Sequence, residues 1–334
     1  MKQNQTPSFM HPATALSAAT GIQLESEPFK YSFVMAKKGQ SGEPVAELQL
    51  SRAEGSLLAF APRGTGAAGM EAGSQVLVTG VMSKHKGVRY LLVSGVLRAV
   101  DLDPVWKLNL VDRDLIANFN DFVMLREIIW RLDEEMRGVI CEVLTHTDIA
   151  PGFFLAPASV AGHHAVAGGN LRHALEVALT VARLVEDHGT DLDRDLAVAA
   201  AILHDLGKAL EYDAKPSGEW RMSLRGKLIG HKLTGYEYVA AAVRECNLAP
   251  ERALSLLHCL SATNAPTYVG MRSPACVEAQ IVSMADRLSG QANLFSQLRV
   301  PGAFMGRRHK HLIEQPFFPA HTLQLSAPTH GEKP

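Results

Sequence analysis

The sequence lacks the long apolar stretches that membrane proteins carry. None of its hydrophobic runs reaches the roughly 18 uncharged residues that a spanning helix needs. The N-terminal stretch MKQNQTPSFMHPATALSAATG also lacks the compact apolar segment of a secretory signal peptide. We therefore expect a soluble protein with no membrane partner.

Cysteine is scarce and is not arranged in pairs. The four cysteines are Cys141, Cys246, Cys259 and Cys276, and no two of them form a C-x-x-C motif. This spacing excludes a thiolate zinc site and argues against a disulfide framework. Scattered thiols are typical of a reducing compartment, so we expect a cytoplasmic protein.

Aromatic residues make up only 6% of the chain, and the formal net charge is −1. Proteins that bind nucleic acid tightly and without sequence preference are usually basic. Any nucleic-acid binding must therefore come from a local patch of basic residues. The near-neutral charge by itself favours a small substrate somewhat.

The length of 334 residues predicts two domains, and the 47% hydrophobic content allows a substantial core. We expect an α+β protein in which a small β-barrel precedes an all-α domain. The predicted boundaries are a disordered N-terminus at 1–26, a barrel domain at 27–102, a helical domain at 103–312 and a flexible tail at 313–334.

Short β-like runs separated by Gly, Pro and Ser occupy the first of these domains. Such spacing predicts a small barrel or sandwich. The clearest part is a hairpin, VLVTGVMSKHKGVRYLLVSGVLRAV, with its turn at Lys84-His85-Lys86-Gly87. The order of the runs is similar to an OB-fold, which binds oligonucleotides along a strand face. The Gly-rich stretch 62–73 has no Walker spacing, and we interpret it as a flexible loop.

Basic and aromatic residues in this domain are candidates for contacts with a nucleic acid. Basic groups would follow the phosphates while an aromatic face stacks a base. The alternative is that the Lys-rich turn is only a solvated hairpin tip. Aromatic residues are few, and at least some of Phe33, Phe60 and Tyr90 must fill the core. The candidates are Lys37, Lys38, Lys84, Lys86, Arg89 and Tyr90.

The chain is organised around the stretch LAVAAAILHDLGKALEY at 196–212. A helix that is apolar nearly all round is buried, so His204 and Asp205 are expected at the end of a buried helix. Leaving an imidazole and a carboxylate there without partners is unfavourable. Either the pair bonds to the local backbone, or both residues are metal ligands.

Four further ionisable residues lie in apolar patterns at helical spacing. These are His173, His231, His258 and Asp286. Any one of them alone is more often a satisfied core residue than a ligand. Together with His204 and Asp205 they favour a divalent metal site, because imidazole and carboxylate ligands suit Mn, Fe, Co or Mg better than a structural zinc cage.

The order of these six residues resembles the HD superfamily of metal-dependent phosphohydrolases. Three segments of the sequence are similar to the YhaM-type 3′→5′ exoribonucleases, in which an OB-fold precedes an HD domain. These segments are HHAVAGGNLRHALEVA, DLDRDLAVAAAILHDLGKALEY and GKLIGH. The HHA–GG–L–H text is also similar to the HD-type domain of some conjugative relaxases. The helical domain is thus expected to be an HD domain.

The resemblance implies two metal ions per chain. His173, His204, Asp205 and Asp286 would bind the first ion. Asp205 would bridge to a second ion held by His231 and His258. One position departs from the exonuclease pattern, which tends to have His-His where this chain has His258-Cys259.

Five other residues are candidates for contacts with a phosphate substrate. Lys208 would neutralise a phosphate oxygen, although a lysine there can instead compensate a helix dipole. His163 and His164 precede two glycines, and we favour His164 as the catalytic one of the pair, beside Asp205 and Lys208. His163, Arg172 and Arg225 are predicted to bind substrate.

Three functions remain open. The first is a 3′→5′ exonuclease on single-stranded RNA or DNA, in which the barrel feeds the strand to the HD site. The second is a phosphohydrolase of nucleotides or small phosphate esters. The third is a conjugation-related accessory module that keeps the HD fold as a scaffold. A homo-oligomer is compatible with each of them.

Overall fold

In this computed structural model, the described residues are 16, 18–39, 42–99, 102, 104–188, 192–262, 271–310, 312 and 314–318. Most of the segment predicted to be disordered, residues 1–15 and 17, lies outside them. The first strand begins at Gln23, inside the segment 1–26 and ahead of the predicted start of the barrel. Residues 319–334 of the predicted tail also lie outside the described residues.

Five strands form the closed barrel that the sequence predicts. They are β1 Gln23–Lys38, β2 Pro44–Arg52, β3 Gly55–Pro62, β4 Gln75–His85 and β5 Val88–Arg98. Their order around the barrel is β1-β2-β3-β5-β4, and pairing of β1 with β4 closes it. All neighbours are antiparallel except β3 and β5. The predicted OB-like barrel is confirmed.

The barrel follows from alternation along its strands, since successive side chains point to opposite faces. Leu48 and Leu50 of β2 are fully buried inside, and the residue between them is exposed.

The β4–β5 turn has Lys86 at φ 46° and Gly87 at φ 86°, and two positive φ values match the twist of a tight hairpin.

A buried ion pair closes one end of the barrel. Arg52 donates from Nη2 to Glu27 Oε2 at 2.7 Å and from Nε to the Pro28 carbonyl at 2.7 Å. Its guanidinium also lies 4.1 Å from the centre of the Phe29 ring. The charge is therefore both paired and hydrogen-bonded, which is what burial of an arginine requires.

The rest of the described chain is mainly helical. The helices are α1 Pro104–Asn109, α2 Phe119–Trp130, α3 Glu134–Leu144, α4 Ala150–Leu155, α5 Gly169–His188, α6 Arg194–Leu203, α7 Lys208–Glu211, α8 Leu224–Leu228, α9 His231–Glu245, α10 Pro250–Ser261 and α11 Val277–Leu298. A 3₁₀ turn covers Arg113–Leu115. A small antiparallel sheet of β6 Tyr212–Ala214 and β7 Trp220–Met222, which an all-α prediction does not include, lies between α7 and α8.

The chain divides into two compact units. The barrel unit contains the chain up to Phe119 together with Arg126–Ala150, and the helical unit contains Asn120–Leu125 and the chain from Pro151 onward. The predicted boundary at residue 103 differs from this division, because the segment after the barrel groups with it. Among the described residues, no helix is long and apolar enough to cross a membrane.

Helix α6 is the centre of the helical unit. All eight residues from Leu196 to Leu203 are buried, as the apolar sequence predicts. Helices α5, α10 and α11 pack around it. The helix begins where Asp193 accepts a hydrogen bond from the Leu196 amide at 2.9 Å, and the same carboxylate accepts from Arg252 of α10. The capping residue therefore also ties α10 to the start of α6.

Gly207 lets helix α9 approach the end of α6. A Cβ atom at this position would lie 2.0 Å from the His231 carbonyl oxygen and 2.6 Å from the Gly235 amide nitrogen. Real Cβ atoms do not come so close to backbone, so only glycine permits this packing. It brings the first turn of α9 against the chain that follows His204 and Asp205.

We expect Gly207→Ala to destabilise the protein by about 1–3 kcal/mol, because the extra methyl group meets rigid backbone. Gly290→Ala in α11 is the matched control, since its nearest neighbours are atoms of the His163 ring at 3.6–3.7 Å. Alanine there is expected to be neutral or stabilising. Urea unfolding followed by circular dichroism at 222 nm measures both. Equal stability of the two variants would contradict the prediction.

Candidate metal centre

Four side chains converge at the end of α6, as predicted for the first metal ion. His204 and Asp205 follow α6 directly, His173 comes from α5 and Asp286 from α11. Each residue offers one ligand atom, and these four atoms lie within 4.8 Å of one another. His173 is fully buried, and His204 and Asp205 are nearly so. The packing of α5 and α11 against α6 thus assembles the cluster.

The spacing of these atoms fits a divalent cation. His173 Nε2 lies 3.2 Å from His204 Nε2, 3.1 Å from Asp286 Oδ1 and 3.5 Å from Asp205 Oδ2. His204 Nε2 lies 3.4 Å from the same Asp205 oxygen and 3.6 Å from Asp286 Oδ1. Ligands about 2.1 Å from one ion lie roughly 3.0–3.4 Å apart, so the observed distances match.

The other nitrogen of each imidazole shows which tautomer is present. His204 Nδ1 lies 2.8 Å from the Ala201 carbonyl, which only accepts, so Nδ1 carries the proton. His173 Nδ1 lies 3.0 Å from Ser289 Oγ, whose hydroxyl donates to Glu176 Oε2 at 2.8 Å. When both rings are neutral, their Nε2 atoms therefore present lone pairs to each other and to two carboxylates. A cation is the partner that such a donor set fits.

The pKa shifts of the residues in the cluster are consistent with a site for a cation. Burial opposes protonation of His204, yet the carboxylates of Asp205 and Asp286 raise its pKa to about 9. Burial would raise the pKa of Asp205, but Lys208, followed by His204 and His173, holds it well below its usual range. The pKa of Asp286 is lowered in the same way, against burial, by His173 and His204. The centre thus attracts positive charge, which a metal ion supplies without a proton.

Lys208 lies inside this centre. Its Nζ is 2.6 Å from Asp205 Oδ2, and the side chain is 8% exposed. The residue is the first of the four-residue helix α7, whose single turn also makes it the basic residue of the last turn. The ammonium group is held at the edge of the four-ligand cluster, where the sequence predicts it.

His231 lies on the opposite side of Asp205. Its Nε2 is 3.5 Å from Asp205 Oδ1, the oxygen that does not face His173. Its Nδ1 is 3.1 Å from the buried carboxylate of Glu211. Burial would raise the pKa of Glu211, but hydrogen bonding from His231 lowers it. The two oxygens of Asp205 therefore face two separate imidazole groups, as a bridging carboxylate would.

His258 does not join the converging ligands among the described residues. Its Nε2 accepts a hydrogen bond from the Ala275 amide at 2.9 Å. Eight residues between these two positions, 263–270, lie outside the described part of the chain. The metal role of His258 therefore stays a prediction.

The two adjacent histidines have different environments, as their sequence adjacency requires. His164 is buried at φ 47°, with Nε2 3.1 Å from Glu176 Oε2 and its amide bonded to Asn293 at 2.9 Å. Within the described chain, His163 Nε2 and His164 Nε2 are both buried without a hydrogen-bond partner, but His164 Nε2 lies within ion-pair distance of Glu176. Burial, then Lys208 and His173, lowers the pKa of His163 to about 4. The geometry favours His163 over His164 for contact with a substrate.

The glycines after this pair serve packing. A Cβ atom at Gly169 would lie 2.0 Å from the His164 carbonyl oxygen. The backbone of the histidine loop therefore crosses the start of α5 at close range. The sequence predicts that the backbone can come close to a ligand here. In the structure, the segment that comes close to Gly169 is the protein's own backbone at His164.

The two arginines predicted to bind phosphate are engaged in ion pairs. Arg172 donates to Asp121 at 2.7 Å, and its Nε lies 3.6 Å from Glu176. Arg225 pairs with Glu237 and donates to Thr234 at 3.0 Å. Substrate binding by either arginine stays a prediction.

The predicted contact residues of the barrel lie on its outer surface. Tyr90 packs edge-on against Phe60 with ring centres 5.3 Å apart, and Lys37 lies over Phe60 while pairing with Glu47. Phe33 is 53% exposed, so it does not fill the core. Lys84, Lys86 and Arg89 have no acidic partner among the described residues, and neither does Lys38.

The sequence did not single out the residues behind the ligands. Glu176 and Ser289 orient His173, Glu211 orients His231, and Asn293 holds the loop of His164. Glu176 follows His173 by one helical turn, and Ser289 follows Asp286 by the same interval. Polar residues at i+3 from a candidate ligand are therefore the signal that could have found them.

We expect Asp205→Asn to abolish tight Mn²⁺ binding, because Asp205 supplies an oxygen to the cluster and faces His231 with the other. Loss of a partner behind a ligand typically weakens binding 10–100-fold, so loss of a ligand is expected to exceed roughly 100-fold. Titration followed by electron paramagnetic resonance of free Mn²⁺ measures it. Asp213→Asn, on the exposed strand β6, is the control. Unchanged affinity in Asp205→Asn would contradict the assignment.

Comparison with known proteins agrees with this geometry. A family model described as the HD domain matches residues 170–291, which contain all six predicted ligands. HD domains are metal-dependent, and the four-residue cluster lies inside the match.

Three curated relatives extend the comparison. The chain is 32% identical over 142 residues to the 3′-5′ exoribonuclease YhaM of Bacillus licheniformis, covering 42% of this chain and 44% of that protein. It is 30% identical over 142 residues to the YhaM of Bacillus subtilis, with the same coverage. It is 28% identical over 239 residues to the YhaM of Listeria welshimeri, covering 70% of this chain and 74% of that protein.

The chain spans less than half the length of the two Bacillus relatives in these matches. The barrel, the helical domain and the His/Asp cluster nevertheless occur in the order that the resemblance predicts. The family model thus places an HD domain at residues 170–291, and the chain is similar to the YhaM exoribonucleases over that part.

Proposed function

We propose that the chain is a metal-dependent phosphodiester hydrolase that degrades single-stranded RNA from its 3′ end. The observation that carries this proposal is the convergence of His173, His204, Asp205 and Asp286, whose four ligand atoms lie within 4.8 Å of one another. The names of the YhaM relatives support the substrate and the direction of cleavage. Cytoplasmic location is part of the proposal, supported by four cysteines that are all free.

The proposal includes two metal ions. The first would be held by the four-residue cluster, and the second by Asp205, His231 and His258. Nitrogen and oxygen ligands favour Mn, Fe, Co or Mg. For the second ion, His258 would have to exchange its hydrogen bond with Ala275 for the metal. When bound, such ions lower the pKa of a coordinated water and stabilise charge on the phosphate oxygens.

The protein's own groups complete the site. Lys208 brings a buried positive charge to the edge of the cluster, where it can neutralise a phosphate oxygen as charge builds up. His163 remains neutral near pH 7, so its unpartnered Nε2 is available for a hydrogen bond with the substrate. His164 is engaged with Glu176, and we assign it to holding the loop in place.

The outer face of the barrel is the proposed contact for the RNA strand. Lys84 of β4, Lys86 of the turn and Arg89 of β5 are close in sequence, and strands β4 and β5 contain no acidic residue. Tyr90 lies beside these three, with its ring supported by Phe60. This local concentration of positive charge and an aromatic ring suits a single strand despite the net charge of −1.

The second candidate is a phosphohydrolase of small esters, favoured by the near-neutral net charge and by the few aromatic residues. The cluster serves either substrate equally well. An accessory role without catalysis is less well supported, because four of the six predicted ligands converge. A homo-oligomer remains open as part of the proposal.

Turnover by the full chain with Mn²⁺ separates these candidates. We expect 5′-labelled single-stranded RNA to shorten stepwise, and Asp205→Asn to lose more than roughly 100-fold in rate because the ligand is lost. Asp213→Asn is expected to retain the wild-type rate. Single-stranded DNA and bis-p-nitrophenyl phosphate are the comparison substrates. Hydrolysis of the small ester with intact RNA would select the second candidate, and no turnover of any substrate would overturn both.

Binding measurements test the barrel separately. In the Asp205→Asn background, Tyr90→Ala is expected to weaken RNA binding by about 1–3 kcal/mol, the stacking contribution of one base. Replacing Lys84, Lys86 and Arg89 by alanine is expected to lower the slope of log affinity against log salt by about 2. Arg98→Ala, at the far end of β5, is the control. Fluorescence anisotropy measures each, and unchanged binding in both variants would exclude this face.

A further inference from the structure

We propose that Glu176 is a positioning residue for the metal centre and that it acts on His173 through the hydroxyl of Ser289. This inference rests on the proposed metal-dependent function. It assigns roles to two residues that contribute no ligand atom to the cluster.

The relay is defined by two hydrogen bonds. Ser289 Oγ donates to Glu176 Oε2 at 2.8 Å, and His173 Nδ1 lies 3.0 Å from the same Ser289 oxygen. A hydroxyl has one proton to donate, and the Ser289 hydroxyl donates it in the hydrogen bond to the Glu176 carboxylate. Ser289 must therefore accept from His173 Nδ1, which leaves the Nε2 lone pair facing the cluster.

This constraint is needed because the other tautomer has a strong partner. His173 Nε2 lies 3.1 Å from Asp286 Oδ1 and 3.5 Å from Asp205 Oδ2. A proton on Nε2 would bond to one of these carboxylates and would occupy the position of the ion. The relay opposes that arrangement, since it would leave Nδ1 without a proton for Ser289.

Glu176 is itself fixed from two sides. His164 Nε2 lies 3.1 Å from its Oε2, and Arg172 Nε lies 3.6 Å from its Oε1. Arg172 is anchored in turn on the buried carboxylate of Asp121 at 2.7 Å. The carboxylate can therefore hold the Ser289 hydroxyl in one orientation. These contacts also give Arg172 a role that does not require the substrate.

The other two imidazoles are oriented differently. His204 Nδ1 faces a backbone carbonyl, and His231 Nδ1 faces Glu211 directly. Only His173, among these three, acts through an intermediate hydroxyl. The serine and the carboxylate can consequently be replaced one at a time, with no ligand changed.

Mn²⁺ affinity of the full chain tests the relay. Ser289→Ala and Glu176→Gln are each expected to weaken binding by roughly 10–100-fold, the usual effect of removing a partner behind a ligand. Ser289→Thr keeps the hydroxyl and is expected to restore binding to within about threefold of wild type. Glu186→Gln, an exposed carboxylate on the same helix, is the matched control.

A spectroscopic measurement separates positioning from general destabilisation. In ¹⁵N-histidine-labelled, metal-free protein, proton–nitrogen correlation spectra report which ring nitrogen carries the proton. His173→Gln identifies the His173 signals among the 14 histidines. We expect the Nδ1-protonated form in wild type and in Ser289→Thr, and a shift to the Nε2-protonated form in Ser289→Ala.

The outcomes are distinct. If Ser289→Ala or Glu176→Gln binds Mn²⁺ as wild type does, or if Ser289→Thr fails to restore binding, the relay is overturned while the metal centre stands. If wild type binds no Mn²⁺, the proposed function itself fails. Should Ser289→Ala not fold, Glu176→Gln with its control Glu186→Gln decides the question alone.

Discussion

The helical unit depends on one electrostatic constraint at the end of α6. Two imidazoles and two carboxylates offer ligand atoms within 4.8 Å of one another in a largely buried place, and each pair that includes an imidazole is 3.1–3.6 Å apart. Groups of this kind repel unless positive charge lies among them. Lys208 supplies part of that charge from the edge at 2.6 Å from Asp205. A divalent cation would supply the rest, which is why the donor set indicates a binding centre more strongly than a structural polar cluster.

Close backbone approaches make this convergence possible. Gly207 admits the first turn of α9 and with it His231, while Gly169 admits the loop that carries His163 and His164. Helix α6 contributes by being apolar on every side, since it can then be surrounded by α5, α10 and α11. The ligands therefore lie where helices must meet, and the glycines determine how closely they meet.

The sequence was sufficient for the features that rest on periodicity and residue type. Short β-like runs separated by Gly, Pro and Ser predicted the barrel, and the apolar run predicted the burial of α6. The resemblance to the HD superfamily predicted the four side chains that converge. The sequence was insufficient where the outcome depends on which neighbour a side chain meets. The sequence did not show that Arg172 donates to Asp121 or that His164 Nε2 lies 3.1 Å from Glu176 Oε2. The grouping of the segment after the barrel and the β6–β7 sheet are tertiary outcomes of the same kind.

The three imidazoles around Asp205 differ in how firmly their orientation is set. His204 is held by a helix carbonyl, so its tautomer is fixed by backbone that no side-chain change removes. His231 faces a carboxylate directly, which increases the basicity of the nitrogen that faces Asp205. His173 depends on a hydroxyl whose direction a further carboxylate controls. A hydroxyl can rotate and can either accept or donate a hydrogen bond. Of the three imidazoles, His173 is therefore the one whose orientation depends most on neighbouring side chains. The His173 side also borders the loop of His163, whose Nε2 is buried and has no hydrogen-bond partner among the described residues. His173, whose orientation depends most on neighbouring side chains, and His163, the proposed substrate contact, therefore lie next to each other, with ring centres 4.9 Å apart.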